Sequence, residues 1–148
     1  MKWILIFAIP LLLIGCRSQG GSEGQVTKRH MQNVSLVGAD LSRMNLQDVD
    51  LTNSNLKNCN LESADLQGSK LVGVNFQGAN LENADLMNAD CRGTDFLKSH
   101  LDYANFDGAD LTHARFVGAS VKKANFRMSK GLTEDTKKYL SERGALTD

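Results

Sequence analysis

Large apolar residues recur at every fifth position between residues 34 and 128, and nothing interrupts this spacing. An amphipathic helix needs apolar residues at i, i+3, i+4 and i+7, and a half-buried strand needs strict alternation. On a helix, a period of five would carry the apolar residues around the whole circumference, so no single face could be buried. The pattern therefore excludes a helical domain and predicts a short repeated unit.

Each five-residue unit has the same chemical plan around its large residue, here called the centre. Seventeen of the nineteen centres are Leu or Phe, the residue two positions earlier is small or apolar, and the residue just before the centre is Asp or Asn in fourteen units. Positions two apart on an extended chain point to the same side, so the small residue and the centre are predicted to face inward. The centres are Leu36, Leu41, Leu46, Leu51, Leu56, Leu61, Leu66, Leu71, Phe76, Leu81, Leu86, Cys91, Phe96, Leu101, Phe106, Leu111, Phe116, Val121 and Phe126.

The second position after the centre predicts a turn in each unit. It is Gly in seven units and Asn in four. Both residue types tolerate a positive φ at little cost. An extended pair followed by a turn, repeated many times, would coil the chain around an apolar axis.

Units such as 39–43 (ADLSR) and 109–113 (ADLTH) resemble the A-(D/N)-L-x-x motif of the pentapeptide-repeat family. The resemblance covers residues 34–128 and implies an all-β fold, a right-handed quadrilateral parallel β-helix with four units per coil. Residues twenty apart would then stack. At about 4.8 Å per coil, just under five coils would form a rod roughly 23 Å long.

Both ends of such a solenoid need a cover, because terminal coils expose an open ladder edge. Residues 129–148 are predicted to form a short capping helix and tail, with Thr133 as N-cap and Gly144 as a C-terminal stop. We expect Leu140 to lie against the last coil. Residues 26–33 are predicted to cap the other end.

Residues 1–15 have the composition of a secretory leader, with Lys2 before an apolar run. About twelve apolar residues are too few to span a bilayer, which needs roughly twenty. The run ends LIGC, which resembles the lipobox of bacterial lipoproteins. This resemblance implies cleavage after Gly15 and a membrane-lipid anchor on acylated Cys16, and the alternative is an ordinary leader with a chance cysteine. Residues 16–25 would be the flexible tether of an exported protein on the periplasmic side or the cell surface.

Seventeen basic and seventeen acidic residues balance each other. This balance argues against a nucleic-acid partner, which would require clustered Lys and Arg. The quinolone-resistance branch of the family suggests an alternative function, inhibition of a topoisomerase (gyrase) by imitation of DNA. That function requires a strongly negative rod, and residues 34–128 hold twelve acidic against nine basic residues.

The two cysteines of the repeats, Cys59 and Cys91, fall at inward positions on opposite sides of a coil. A disulfide requires Cα atoms within about 7 Å. We therefore predict two buried free thiols. No cofactor is expected.

A filled interior and a convex exterior leave no water-poor concavity for catalysis, so no enzyme activity and no catalytic residue are predicted. Function would lie in the outward columns, as a protein-interaction scaffold for an unidentified protein partner. A third hypothesis is an architectural homo-oligomer formed by end stacking. The candidate interaction surface comprises Glu62, Glu82, Asp102, Leu97 and Val117.

One group in these columns suggests a cation site, because His100 and Asp102 would point outward together, with Glu82 one coil below. The alternative interpretation is a solvated acidic stripe without a metal. We favour the stripe.

Overall fold

The computed structural model describes residues 30–147. The predicted leader, lipidated Cys16, the tether and residues 26–29 of the predicted N-terminal cap lie outside the described residues. The described chain forms one continuous solenoid, closed at its C-terminal end by a helix, α1, which spans Glu134–Ser141.

Parallel bridges join residues twenty apart along the whole solenoid, as in Asn60 to Asn80 and Asn80 to His100. The bridging residue is the one just before each centre, and four units complete a coil, which confirms the predicted register. Among residues 30–147 every bridge is isolated, and none is extended into a strand of several residues. The reason is that a two-residue turn follows every centre.

Each unit of the central coils donates three backbone hydrogen bonds to its neighbouring coils. In the unit around Leu61, the Leu61 N–H donates to the Asn80 carbonyl (2.6 Å), the Ser63 N–H donates to Glu82 (2.9 Å), and the Asn60 N–H donates to Ala39 (2.9 Å). Because nearly every position next to a centre must donate or accept, a residue without an N–H has no place in the ladder. The single proline of the sequence is Pro10, outside the repeats.

The turn position adopts a positive φ in all nineteen units, which confirms the prediction made from Gly and Asn. It does so even where the residue is Lys98 (φ 55°), Tyr103 (φ 61°) or His113 (φ 62°). Such residues avoid this conformation when isolated. The closed coil therefore imposes the turn geometry, and local preference is a secondary contribution.

The inward positions form one continuous core of buried centres and small residues. Phe96 stacks between Phe76 and Phe116, with ring centroids 5.6 and 5.2 Å apart. Phe106 and Phe126 stack at 4.7 Å on the adjacent side of the coil, and the two stacks meet edge to face. The solenoid interior is thus filled by side chains.

The C-terminal cap has the predicted helix and one unpredicted element. The Thr133 hydroxyl accepts a hydrogen bond from the Thr136 N–H, Leu140 is fully buried, and Gly144 has a φ of 89°. Beyond Gly144 the chain returns to the ladder, where Leu146 bridges to Asn125. The last coil is therefore closed by α1 and by an additional ladder segment.

Candidate interaction surface

Two adjacent sides of the solenoid differ sharply in charge from the other two. We call the two sides with centres in the Leu41 and Leu46 columns the acidic sides. Between residues 44 and 108 they comprise residues 44–48, 59–68, 79–88 and 99–108, and the preceding unit on the Leu41 side holds Asp40 and Arg43. These ranges contain seven Asp or Glu residues and no Lys or Arg, whereas residues 49–58, 69–78 and 89–98 on the other two sides contain three acidic and four basic residues. The seven carboxylates are Asp48, Glu62, Asp65, Glu82, Asp85, Asp102 and Asp107.

The Asp or Asn before each centre holds the turn that follows it. Asn60 Oδ1 accepts the Glu62 N–H (3.2 Å), and Asn80 Oδ1 accepts the Glu82 N–H (3.1 Å). All fourteen Asp and Asn residues at this position make the same bond. An Asx side chain is suited to this because its oxygen reaches the amide two residues on. The bond explains why Asp or Asn precedes the centre in fourteen units.

Side-chain hydrogen bonds between coils also orient the acidic sides. Asn80 Nδ2 donates to Asn60 Oδ1 (3.2 Å), and Asn105 Nδ2 donates to Asp85 Oδ1 (3.1 Å). Gln67 Nε2 donates to the second oxygen of Asp85 at 2.7 Å. Asp85 is therefore held in place by neutral donors, and Gln47 Nε2 donates to Asp65 in the same way.

An acidic residue on the other two sides has a different environment. Arg92 Nε and Nη2 contact the two carboxylate oxygens of Asp90 at 2.7 and 2.8 Å. The hydrogen bond from Arg92 is the main cause that lowers the pKa of Asp90, and its charge adds to the effect. On those two sides, Asp90 and Asp95 thus pair with Arg92 and Arg115.

The structure places Glu62, Glu82 and Asp102 in one outward column of the acidic sides, as predicted, because the bridges through Asn60, Asn80 and His100 set their register. It does not assemble the candidate cation site. Asp102 Oδ1 instead accepts the backbone N–H of Lys122 at 2.7 Å. No group of three His, Cys, Asp or Glu residues placed to hold a metal ion occurs within residues 30–147.

Leu97 and Val117, the apolar members of the candidate interaction surface, differ in exposure. Leu97 is half-buried between its neighbouring coils, whereas Val117 on the last coil is 63% exposed. Val117 lines a groove of about 290 Å³ against α1. The groove is held open by Tyr139, whose hydroxyl accepts the Gly118 N–H at 3.0 Å.

Cys59 and Cys91 are free and buried, which confirms that prediction. The Cys59 thiol donates to the Leu36 carbonyl at 2.8 Å. Burial raises the pKa of both thiols, so neither has the thiolate character of a nucleophile.

The repeats match two family models. The model described as "Pentapeptide repeat region" matches residues 29–106, and the one described as "Pentapeptide repeats (8 copies)" matches residues 89–127. The chain belongs to the pentapeptide-repeat family. The family predicted from the sequence is thereby confirmed.

Among solved structures, the chain is similar to HetL of the cyanobacterium Nostoc sp. strain PCC 7120, a pentapeptide repeat protein involved in heterocyst differentiation regulation. The two are 33% identical with a TM-score of 0.67, and the match covers 68% of this chain and 42% of HetL. This chain therefore spans less than half of HetL's length. A pentapeptide repeat protein of the Arabidopsis thaliana thylakoid lumen is 31% identical, with a TM-score of 0.54 over 85% of this chain and 86% of that one.

These likenesses imply a right-handed quadrilateral β-helix. Comparison with curated proteins gives no significant match. Within residues 30–147, no helix has the length and apolar character needed to cross a membrane.

Proposed function

We propose that this pentapeptide-repeat protein is a lipid-anchored, non-catalytic interaction scaffold whose acidic sides bind a basic segment of a partner protein. The observation that carries the proposal is the separation of charge. Between residues 44 and 108, seven carboxylates and no Lys or Arg occupy two adjacent sides of the solenoid. Nothing points to an enzyme, and proteins of this family are generally structural or interaction proteins.

The rigidity of the surface supports this assignment. The side chains of Asn60 and Asn80 accept hydrogen bonds from the turn amides that follow them, and Gln67 donates to Asp85. These bonds fix part of the surface before a partner arrives. Preorganised side chains lose less conformational entropy on binding. Glu62 and Glu82 repeat at the coil spacing of about 4.8 Å, so a basic segment running along the rod would meet one carboxylate per coil.

A site-specific crosslinking experiment tests the partner. A photo-crosslinking residue is placed at Ser63, an exposed turn position on the acidic sides, and at Asn53, the matched turn position on another side. The proposal expects a discrete adduct from Ser63 alone. The adduct should disappear with Glu62→Lys and Glu82→Lys and persist with Lys57→Glu. Equal adducts from both positions would contradict a side-specific scaffold.

The proposed anchor rests on the leader and on the LIGC sequence that ends at Cys16. A single acyl chain binds membranes only marginally, at about 0.8 kcal/mol per buried methylene, and a diacylglyceryl group exceeds that limit. Metabolic labelling with a fatty-acid analogue should mark the chain. Cys16→Ser should abolish the label and move the protein out of the membrane fraction, and retention of label would exclude this anchor.

Topoisomerase inhibition remains the second candidate. The repeats as a whole hold twelve acidic and nine basic residues, but the acidic residues are concentrated on the acidic sides. A gyrase supercoiling assay tests it directly, and inhibition that is lost with Glu62→Lys and Glu82→Lys would favour it over the scaffold. End stacking has less support, because α1 and the segment at Leu146 cover the last coil. Light scattering that shows long oligomers would revive it.

A further inference from the structure

The C-terminal end of the solenoid has the opposite charge to its body. Residues 30–114 contain twelve acidic and five basic residues, whereas residues 115–147 contain three acidic and eight basic residues. The solenoid is therefore a strong dipole along its axis. The scaffold proposed above uses the body and leaves this end unexplained.

Four of the basic residues gather where the last coil meets the cap. Lys122 and Lys123 lie in the last coil, and the Lys123 N–H donates to the Gly144 carbonyl at 2.7 Å, which places Arg143 beside them. Arg127 follows on the next side of the same coil. We call Lys122, Lys123, Arg127 and Arg143 the basic end, and all four are exposed.

One carboxylate of the cap is already paired within its own helix. Glu134 pairs with Lys137 at 3.0 Å. The ion pairs found within residues 30–147 join no carboxylate to Lys122, Lys123 or Arg143. Arg143 lies over the Tyr139 ring, 3.7 Å from its centroid, and this contact leaves its charge available.

Two exposed apolar side chains accompany the basic end. Met128, directly after Arg127, is 80% exposed, and Leu146 is 40% exposed. The Phe126 N–H donates to the Leu146 carbonyl at 2.7 Å, so both lie on the rim of the same closing coil. Exposed cations beside flexible apolar side chains are typical of surfaces that bind anionic bilayers, where the charges meet headgroups and the apolar chains enter the interface.

The geometry points to the basic end as a docking surface for an anionic lipid bilayer. Lys and Met side chains are long and have many rotamers, and this suits a fluid surface better than a pocketed protein partner. The acidic body is repelled by the same bilayer, so only the end of the rod approaches it. This inference is independent of lipidation at Cys16 and of any partner of the acidic sides.

A local fluorescent label separates this contact from insertion of the apolar leader. The full chain carries Cys16→Ser, so that only the buried Cys59 and Cys91 remain, and Met128→Cys is labelled with an environment-sensitive fluorophore such as NBD. The matched control is Val37→Cys, which is 52% exposed in the first coil. Probes are vesicles of phosphatidylcholine alone and of phosphatidylcholine mixed with phosphatidylglycerol.

The label at residue 128 should shift to the blue with anionic vesicles only, and the label at residue 37 should not. Lys122→Gln, Lys123→Gln and Arg143→Gln together should weaken the anionic-vesicle contact about a hundredfold, from the usual contribution of each basic residue. Lys57→Gln, Lys70→Gln and Lys98→Gln should leave it unchanged. Protection of Cys91 from thiol reagents shows that each variant is folded.

Three results would overturn the inference. One is an equal shift with neutral and anionic vesicles, which would show apolar contact without charge recognition. Another is an unchanged emission at residue 128 in the presence of anionic vesicles. The third is a shift with soluble polyglutamate at the same ionic strength as strong as with vesicles, which would indicate an acidic protein partner.

Discussion

The first coils and the later coils of this solenoid share one backbone and have different cores. In residues 34–73, here the leucine segment, all eight centres are Leu. In residues 74–128, the phenylalanine segment, five of the eleven centres are Phe, and they stack in two columns. The bridges and the positive-φ turns are the same in both segments.

This comparison shows which features the backbone requires and which it tolerates. The five-residue plan, with its Asx oxygen, its small inward residue and its turn, is common to both segments and specifies the coil. The identity of the large residue changes only how successive coils touch. Leu layers gain from area burial alone, whereas each stacked Phe pair adds about 0.5–1.5 kcal/mol through ring geometry.

Phe96→Ala should give the largest effect, because the Phe96 ring contacts Phe76, Phe106 and Phe116. We expect a loss of about 3–5 kcal/mol in unfolding free energy, measured by urea denaturation. Hydrogen exchange should rise more in the phenylalanine segment than in the leucine segment. Leu56→Ala is the matched control in the same column, and an identical exchange pattern for both variants would show that the segments do not differ in cohesion.

The two buried cysteines, one in each segment, should respond differently to serine. Cys91→Ser buries a hydroxyl at a centre where the thiol has no hydrogen-bond partner among residues 30–147, and should cost about 1–3 kcal/mol. Cys59→Ser should cost less than about 1 kcal/mol, because its hydroxyl can still donate to the Leu36 carbonyl. Ser54 and Thr94 already make such bonds, at 2.8 and 2.7 Å. Denaturation midpoints in the reverse order would contradict the packing described.

Glycine substitutions test whether the frame is common to both segments. Gly73→Ala and Gly108→Ala should each cost about 1–2 kcal/mol because φ is positive at both positions. A β-carbon there would also meet the Asn53 or Asn88 side chain of the preceding coil. Gly93→Ala, with open space beside it, isolates the backbone contribution. If the variant in one segment costs far more than its counterpart in the other, the frames are not equivalent.

The smallest expected effect is on stability at acid pH, through Asp50 in the leucine segment. Burial raises the pKa of Asp50, but hydrogen bonds from Thr52 and Gln32 outweigh it, and the net pKa is lowered. A lowered pKa in the folded state means that this stabilisation is present above the unfolded pKa of about 3.9 and is lost as pH falls through the folded value.

Asp50→Asn should therefore make the fall of the urea midpoint at acid pH shallower than in the unchanged chain. Asp90→Asn is the counterpart in the phenylalanine segment, where Arg92 lowers the carboxyl pKa. Hydrogen exchange at acid pH should show the first variant acting on the leucine segment and the second on the phenylalanine segment. A steeper fall of the urea midpoint in either variant would contradict a lowered carboxyl pKa in the folded state.

Much of the fold could be predicted because the same five-residue pattern occurs nineteen times. The period of five identified the inward residues, and it placed Cys59 and Cys91 apart in the core. The helix cap was readable from Thr133 and Gly144. The return of Leu146 to the ladder was not, because a single bridge after a helix leaves no periodic signal.

The sequence by itself determined the coil, its register and the family, since each unit repeats the same pattern of inward, Asx and turn residues. Only the tertiary structure decided which charged residues share a side of the solenoid and which lie together at its C-terminal end. Glu62 and Glu82 are twenty residues apart in the chain and adjacent in the solenoid. Net composition adds all residues together, whereas folding separates them into an acidic surface and a basic end. The positive φ of Lys98 and Tyr103 has the same origin, because the closed coil overrides local preference.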